Sequence, residues 1–214
     1  KIFLLDRPES QQSMIMAGYL APKYGQLDET AIEQVNNVLG GDFTSRINLN
    51  IREDKHWAYG AGSFVQNTKA QRPFMIFAPV QTDKTKESVQ EIVKEVNQFV
   101  GDKQMTQAEF DKTKQNTVMG MSGMWETNAR VNASARELVR FGLADDYWKT
   151  YSKRVTGLGL TDTRDVAKKI IQPSQLGWFM AGDQSKVLPG LKELGLEVIV
   201  IDANGNAVVK KAGP

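Results

Sequence analysis

One segment, KTKESVQEIVKEVNQFVGD at residues 84–102, constrains the fold more than any other part of the chain. Its apolar residues recur three or four positions apart and form one stripe against a charged back, which predicts an amphipathic helix. The stripe contains Val89, Ile92, Val93, Val96, Phe99 and Val100. A stripe of this length has to pack on another part of the protein, so the rest of the chain must supply a surface that covers it.

Strand-sized apolar runs are the candidates for that surface. They are KIFLLD, SMIMAGYL, AYGAGSFVQN, PFMIFAPVQT, QLGWFMAGD and LEVIVID. The turn-forming RPES between the first two runs predicts a hairpin, and the polar TKAQR between the third and fourth predicts another.

Helix signals separate these runs. Asp28 is a predicted N-cap for a helix that Gly40 and Gly41 end, and a shorter helix is predicted from Thr44 or Ser45 to Arg52. The apolar positions of these two helices are Ile32, Val35, Val38, Leu39, Ile47 and Ile51.

Further helices are predicted in the second half of the chain. Thr106 and Glu109 match a capping box that opens a long helical region, with an interruption near Gly120 and Gly123. The Met-rich TVMGMSGMWE within it is predicted to fill the core. DDYWKTYSKRV is another helix, and TDTRDVAKKII starts at a capping Thr161. We therefore predict an α+β fold with a mostly antiparallel sheet, helices packed on one face and a single domain over residues 1–214.

Composition excludes several classes of protein. The chain has 214 residues, of which 41% are hydrophobic, and 27 Lys and Arg stand against 25 Asp and Glu. With a net charge of +2 and no basic block, no nucleic-acid partner is expected. The longest apolar runs fall well short of the roughly 20 residues that a membrane helix needs, so no membrane span is expected.

The residues for several kinds of catalysis are missing. A catalytic zinc normally takes three protein ligands rich in His or Cys, and this chain has one His and no Cys. His56 is predicted to be a surface-loop residue. No G-x-S-x-G turn and no G-x-G-x-x-G or P-loop pattern occurs, which disfavours serine hydrolases and nucleotide binding.

Arg52 and Tyr59 flank one charged turn, IREDKHWAYG at residues 51–60. A guanidinium fork and a phenol can together hold a peptide carbonyl or a developing oxyanion. Alternation along AYGAGSFV places Tyr59 and Ser63 on one side of a strand and the glycines on the other. The alternative, which spacing alone favours, is that Arg52 pairs with Glu53, Asp54 or a helix C-terminal carbonyl and that Tyr59 covers the edge of the sheet.

The segment NVLGGDFTSRINLNIREDKHWAYGAGS resembles the signature of the second, non-catalytic homologous domain in the pitrilysin, insulysin and mitochondrial processing peptidase family of zinc proteases. SQQSMIMAGYLAP, QLDETAIEQVNNVLGG and IIQPSQLGWFMAGD extend the similarity to nearly the whole chain. The chain departs from the family where His56 and Trp57 replace the usual Gly-Leu before Ala-Tyr.

The resemblance implies where the chemistry lies. The family's H-x-x-E-H motif and its zinc belong to the other homologous domain, so this chain is expected to hold no metal or catalytic residue and not to hydrolyse peptides by itself. Arg52 and Tyr59 match the positions that reach across a closed chamber to the bound peptide. Gly40 and Gly41 resemble part of the family's glycine-rich loop and are predicted to contact the substrate.

The resemblance also implies partners. These are a catalytic metalloprotease domain or subunit and a peptide substrate, with a periplasmic location by analogy to bacterial relatives. The apolar surface that such a partner covers predicts a weak homodimer of the isolated chain. The alternative is an inactive assembly subunit of the same fold, like the core subunits of respiratory complexes.

Overall fold

A six-stranded mixed sheet forms the framework of the protein. The computed structural model describes residues 1–208, so the predicted domain boundary at residue 214 lies outside the described residues. The strands are β1 Ile2–Asp6, β2 Gln12–Ala21, β3 Gly62–Val65, β4 Arg72–Gln81, β5 Gly177–Gly182 and β6 Val198–Ile201. They lie in the order β3-β4-β2-β5-β1-β6. The pairs β3–β4, β4–β2 and β2–β5 are antiparallel, whereas β1 is parallel to both β5 and β6.

Helices connect the strands and cover one face of the sheet. They are α1 Glu29–Asn36, α2 Arg46–Asn48, α3 Thr85–Val100, α4 Gln107–Gly120, α5 Asn128–Phe141, α6 Tyr147–Gly157, α7 Leu160–Ile170 and α8 Gln184–Lys192. Two π-helical segments, Asn37–Gly41 and Leu49–Asp54, continue α1 and α2, and a 3-10 segment at Met121–Trp125 separates α4 from α5. The prediction of an α+β fold with a mostly antiparallel sheet and helices on one face is confirmed.

The core lies between the sheet and the helices, where every second side chain of a strand packs against the apolar faces of the helices. Alternate residues of β2 and β4, such as Ile15 and Ile76, are fully buried, and so are Ile92 and Val96 of the predicted stripe on α3. Asp28 caps α1 as predicted, and its Oδ1 accepts a hydrogen bond from the backbone N of Ala31. The capping box at the start of α4 is also present.

The opposite face of the sheet is apolar and has no helix packed on it in the described part of the chain. Phe3, Met14, Phe77 and Phe179 are each about two-fifths exposed there. A shallow depression of about 300 Å³ lies in its centre. Its lining residues are Phe3, Met16, Gly18, Met75, Gly177, Trp178 and Phe179.

One predicted hairpin is wrong and the other is confirmed. The strands β3 and β4 pair as expected, but β1 and β2 are separated in the sheet by β5. β1 runs parallel to both of its neighbours, and parallel neighbours are joined by long crossovers that no short turn signal reveals.

Three local predictions need correction. Helix α7 begins at Leu160 with Gly159 as its N-cap, rather than at Thr161. The predicted strand at Ala58 begins only at Gly62, because Ala58 makes a single bridge to Val80. The Met-rich segment does not enter the core: Met119 is largely exposed, and no residue of Met121–Trp125 is buried. Among residues 1–208, no helix is both long and apolar enough to cross a bilayer.

Candidate functional site

Tyr59 projects from a turn whose backbone is fixed to the sheet. The backbone N of Trp57 donates to the carbonyl of Ile51 at 3.0 Å, and the backbone N of Gln81 donates to the carbonyl of Trp57 at 2.9 Å. The Tyr59 side chain is nevertheless 90% exposed and makes no hydrogen bond to a described residue. It borders an open cavity of about 460 Å³ together with His56, Gln12 and Asp83. The phenol is therefore accessible from solvent, and its contact with a substrate stays a prediction.

Arg52 lies one turn earlier, in the π-helical segment that follows α2. Its Nη1 is 2.9 Å from Oε1 of Glu53, although the pair does not have hydrogen-bond geometry. Its guanidinium carbon lies 4.1 Å from the centre of the exposed Phe43 ring. The ion pair with Glu53 is the alternative that the sequence left open.

The structure does not bring Arg52 and Tyr59 into one cavity. Arg52 does not line the cavity beside Tyr59, because its side chain is held over Phe43. His56 is exposed and adopts a φ of 58°, and its backbone carbonyl accepts a hydrogen bond from Gln81 Nε2 at 3.2 Å. The two side chains that carry the predicted role therefore emerge from opposite ends of one turn.

Gly40 and Gly41 occupy a tightly packed corner. A Cβ on Gly40 would lie 2.4 Å from the backbone N of Ser63 in β3, and one on Gly41 would lie 2.5 Å from Nδ2 of Asn36. Gly40 is buried and Gly41 is exposed. This close approach gives both residues a packing role, and their contact with substrate stays a prediction.

A larger cavity of about 550 Å³ lies on the helical side of the sheet, and we call it the Glu33 cavity. Helices α1, α4, α5 and α6 and strand β3 contribute to its walls. Its lining residues are Tyr24, Glu29, Ile32, Glu33, Asn36, Asn37, Asp42, Phe64, Val65, Asn67, Asn116, Thr117, Gly120, Met124, Glu137, Tyr147, Trp148 and Tyr151.

The carboxyl groups of this cavity have shifted proton affinities. Glu33 is exposed to solvent, and the protein atoms around its carboxyl raise the pKa of that group by partial desolvation. The hydroxyl of Tyr151 donates a hydrogen bond to Glu33 and opposes the rise in pKa, while Glu137 and Asp42 add to it. Burial also raises the pKa of Glu137. Perturbed carboxyls in a cleft are typical of binding sites.

Sequence reasoning missed the Glu33 cavity. Its residues come from segments more than 100 positions apart, such as Glu33 and Tyr151. The one local signal was the aromatic cluster on α6, where Tyr147, Trp148 and Tyr151 follow one another within a single turn. Such a cluster at helical spacing is equally typical of a core face, so it did not by itself indicate a cavity.

The described residues 1–208 contain no group of three His, Asp or Glu side chains close enough to hold a metal ion. Residues 1–117, more than half of the chain, match the protein family described as the peptidase M16 inactive domain. The chain belongs to this family. The resemblance to a non-catalytic domain of zinc proteases is thereby confirmed, and the chain is a non-catalytic M16 peptidase domain. No curated protein is significantly similar to it in sequence.

Solved structures share the fold at low sequence identity. The M16 inactive domain from Pseudomonas fluorescens has 20% identity and a TM-score of 0.77, over 85% of this chain and 43% of that chain. Complex III2 from Candida albicans has 10% identity and a TM-score of 0.73, over 91% and 48%. The periplasmic protease PqqL from Escherichia coli has 12% identity and a TM-score of 0.68, over 83% and 20%. The chain thus spans less than half the length of these relatives.

Proposed function

We propose that this chain is the substrate-binding, non-catalytic half of a zinc metalloendopeptidase, with residues 1–214 forming one domain. It forms one wall of a peptide-cleaving chamber, and a catalytic domain on the same polypeptide or a partner chain supplies the zinc and the other wall. The observation that carries this proposal is the match of residues 1–117 to an inactive peptidase domain, in a chain that spans 43% of the length of the Pseudomonas fluorescens relative.

Tyr59 and Arg52 are the residues proposed to hold the peptide. The Tyr59 hydroxyl is free to donate to a carbonyl oxygen. The contact with Glu53 involves Nη1 of Arg52 and leaves Nε and Nη2 without an acceptor among the described residues. Both side chains can therefore donate to a peptide or to the oxyanion that develops during hydrolysis, without first breaking a buried interaction.

The apolar face of the sheet is proposed to dock the catalytic domain. Contiguous exposed apolar surface on a protein marks an interaction site, and the Pseudomonas fluorescens relative carries more than half of its length outside the region matched here. In the isolated chain the same face should support the weak homodimer. We expect Phe179→Ser to abolish concentration-dependent sedimentation, and Val139→Ser on exposed α5 to leave it unchanged. Sedimentation as a monomer at all concentrations before any substitution contradicts this use of the face.

The role in substrate binding is tested in the complete protease. Tyr59→Phe and Arg52→Ala should each lower kcat by on the order of 10²-fold if the side chain contacts the oxyanion. Arg7→Ala, an exposed arginine that follows β1, is the matched control and should leave turnover unchanged. Near-normal cleavage by folded Tyr59 and Arg52 variants would remove both residues from the mechanism.

A second candidate is a proteolytically inactive assembly subunit. The similarity to Complex III2 over 91% of this chain favours it. An assembly subunit should still bind its partner through the sheet face, while Tyr59→Phe changes no measured property. A reading frame upstream or nearby that encodes H-x-x-E-H favours the protease instead.

The likeness to a periplasmic protease supports a periplasmic location for this chain as well. Fractionation of the source cells tests it: recovery of the protein with cytoplasmic markers contradicts the assignment.

A further inference from the structure

Asn48 is a buried polar residue beneath the turn that carries Arg52 and Tyr59. It lies in the short helix α2, and it is only 5% exposed. Asparagine is a weak helix former, because its amide competes with the backbone for hydrogen bonds, so a buried asparagine in a helix needs partners elsewhere. Asn48 has two such partners, one before Arg52 in the chain and one after Tyr59.

The partner after Tyr59 is the backbone of Ala61. The backbone N of Ala61 donates to Oδ1 of Asn48 at 3.0 Å, and this hydrogen bond is buried. Ala61 comes directly before β3, and on the other side of Tyr59 the residue Ala58 bridges to Val80 of β4. Tyr59 therefore leaves the protein between two fixed points of the backbone, and Asn48 provides one of them.

The partner before Arg52 is the backbone of Phe43. Nδ2 of Asn48 donates to the carbonyl of Phe43 at 2.6 Å. The Phe43 side chain is 68% exposed, and the guanidinium carbon of Arg52 lies 4.1 Å from the centre of its ring. An aromatic face attracts a guanidinium that stacks on it, so the position of Phe43 sets the direction of Arg52. Asn48 thus fixes the backbone of the residue on which Arg52 stacks.

A primary amide meets both demands at once. The backbone N of Ala61 can only donate and the carbonyl of Phe43 can only accept, so the two partners fix which end of the Asn48 amide is the oxygen. Aspartate at this position would keep the acceptor and lose the donor, and an aliphatic side chain would lose both. A backbone group left without its partner needs water instead, which draws its segment toward solvent.

We propose that Asn48 is a positioning residue that holds Arg52 and Tyr59 at a fixed separation on the protein surface. The inference rests on the proposed function, because it takes these two side chains as the ones that hold the peptide. Arg52 and Tyr59 do not line one cavity, so the groups beneath them set the distance between their donors. Asn48 is hydrogen-bonded to the backbone on both sides and therefore couples the two positions.

The first test measures turnover of a peptide by the complete protease. Asn48→Ala should lower kcat by about tenfold with a smaller change in KM, because misplaced donors are missed most when the oxyanion develops. Asn50→Ala is the matched control. Asn50 is a buried asparagine of the same segment, but its Nδ2 donates to Glu91 and Glu95 on α3. This control should lose a similar amount of stability in urea unfolding and keep normal turnover.

Double variants separate positioning from a general loss of stability. Two residues that act through one group have effects that do not add when both are removed. Asn48→Asp keeps the acceptor for Ala61, so it should act through Arg52 alone. It should lower kcat by about threefold in the wild-type protease and in Tyr59→Phe, but not measurably in Arg52→Ala.

A second measurement does not depend on turnover. Chymotrypsin cleaves after aromatic residues once the local backbone is free to enter its active site, so cleavage after Tyr59 reports how firmly the turn is held. Asn48→Ala should speed this cleavage by about tenfold, the scale of one hydrogen bond. Asn48→Asp should speed it less, and Asn50→Ala should leave it unchanged.

The possible results separate this inference from the proposed function. Normal turnover by Asn48→Ala beside a slow Tyr59→Phe overturns the inference and leaves the proposed function intact. The same holds for an Asn48→Asp effect that persists in Arg52→Ala, and for equal cleavage after Tyr59 in wild type and Asn48→Ala. Normal turnover by both Tyr59→Phe and Arg52→Ala is a different result, which overturns the proposed function and this inference with it.

Discussion

Removal of Arg72 gives the most direct test of how the wall of the Glu33 cavity is held. Arg72 is the largest fully buried side chain of the protein. Its Nη1 and Nη2 donate to Glu29, and its Nε donates to the carbonyl of Pro22 at 2.7 Å. We expect Arg72→Met, which keeps the volume and removes the charge, to leave both acceptors without their partner.

The magnitude follows from the burial of the pair. Breaking a buried ion pair by removing one partner costs about 3–5 kcal/mol. The Glu29 side chain is 18% exposed, so water can partly solvate the remaining carboxylate, and we expect a loss of about 3 kcal/mol. Glu29→Gln should cost a similar amount, because it leaves the guanidinium unpaired.

Urea unfolding followed by tryptophan fluorescence measures these losses, and the double variant is the critical sample. With both charges removed, the double variant should lose no more stability than either single variant, because neither partner is left as a buried charge. A single-variant loss below about 1 kcal/mol, or simple addition of the two losses, would refute the reasoning.

Three further changes probe packing, hydrogen bonding and charge. Gly40→Ala should lower the free energy of unfolding by about 2 kcal/mol, because the new methyl group overlaps the backbone of β3. Gly157→Ala is the control: no atom lies within 4 Å of the added methyl group, so stability should change little or not at all. Equal losses of stability in urea unfolding would contradict the overlap. Tyr19→Phe should lower the free energy of unfolding by about 1–3 kcal/mol, because the Tyr19 hydroxyl donates to the backbone carbonyl of Ile170 at 2.5 Å and accepts from the backbone N of Gln172 at 2.9 Å. A thermal midpoint equal to that of wild type would argue against this loss. The raised pKa of Glu33 stabilises the fold below the ordinary glutamate pKa, and this stability is lost as pH rises through the folded pKa. The stability of Glu33→Gln relative to wild type should therefore increase as pH rises. A relative stability that decreases with pH, measured by urea unfolding, would falsify this direction.

Local signals predicted much of the fold. The stripe of α3, the cap at Asp28 and the box formed by Thr106 and Glu109 depend on residues within a few positions of one another, and each appears as expected. The family resemblance also rested on a continuous segment. These features depend on residues that are close together in the sequence, so a single sequence is enough to predict them.

Non-local features were not predictable in the same way. The insertion of β5 between β1 and β2 joins segments about 170 positions apart, which no turn signal records. Helix α8 was missed because Pro189 lies inside it. The Glu33 cavity depends on tertiary packing, and the 90% exposure of Tyr59 depends on a strand that starts later than its alternation suggests.

The most direct measurement of the central claim is peptide hydrolysis in three samples: this chain alone, the catalytic half alone, and the two together. We expect no hydrolysis by the chain alone and full turnover only when both halves are present, with Tyr59→Phe lowering the combined rate. Hydrolysis by this chain without its partner, or a catalytic half that is fully active by itself, would contradict the account.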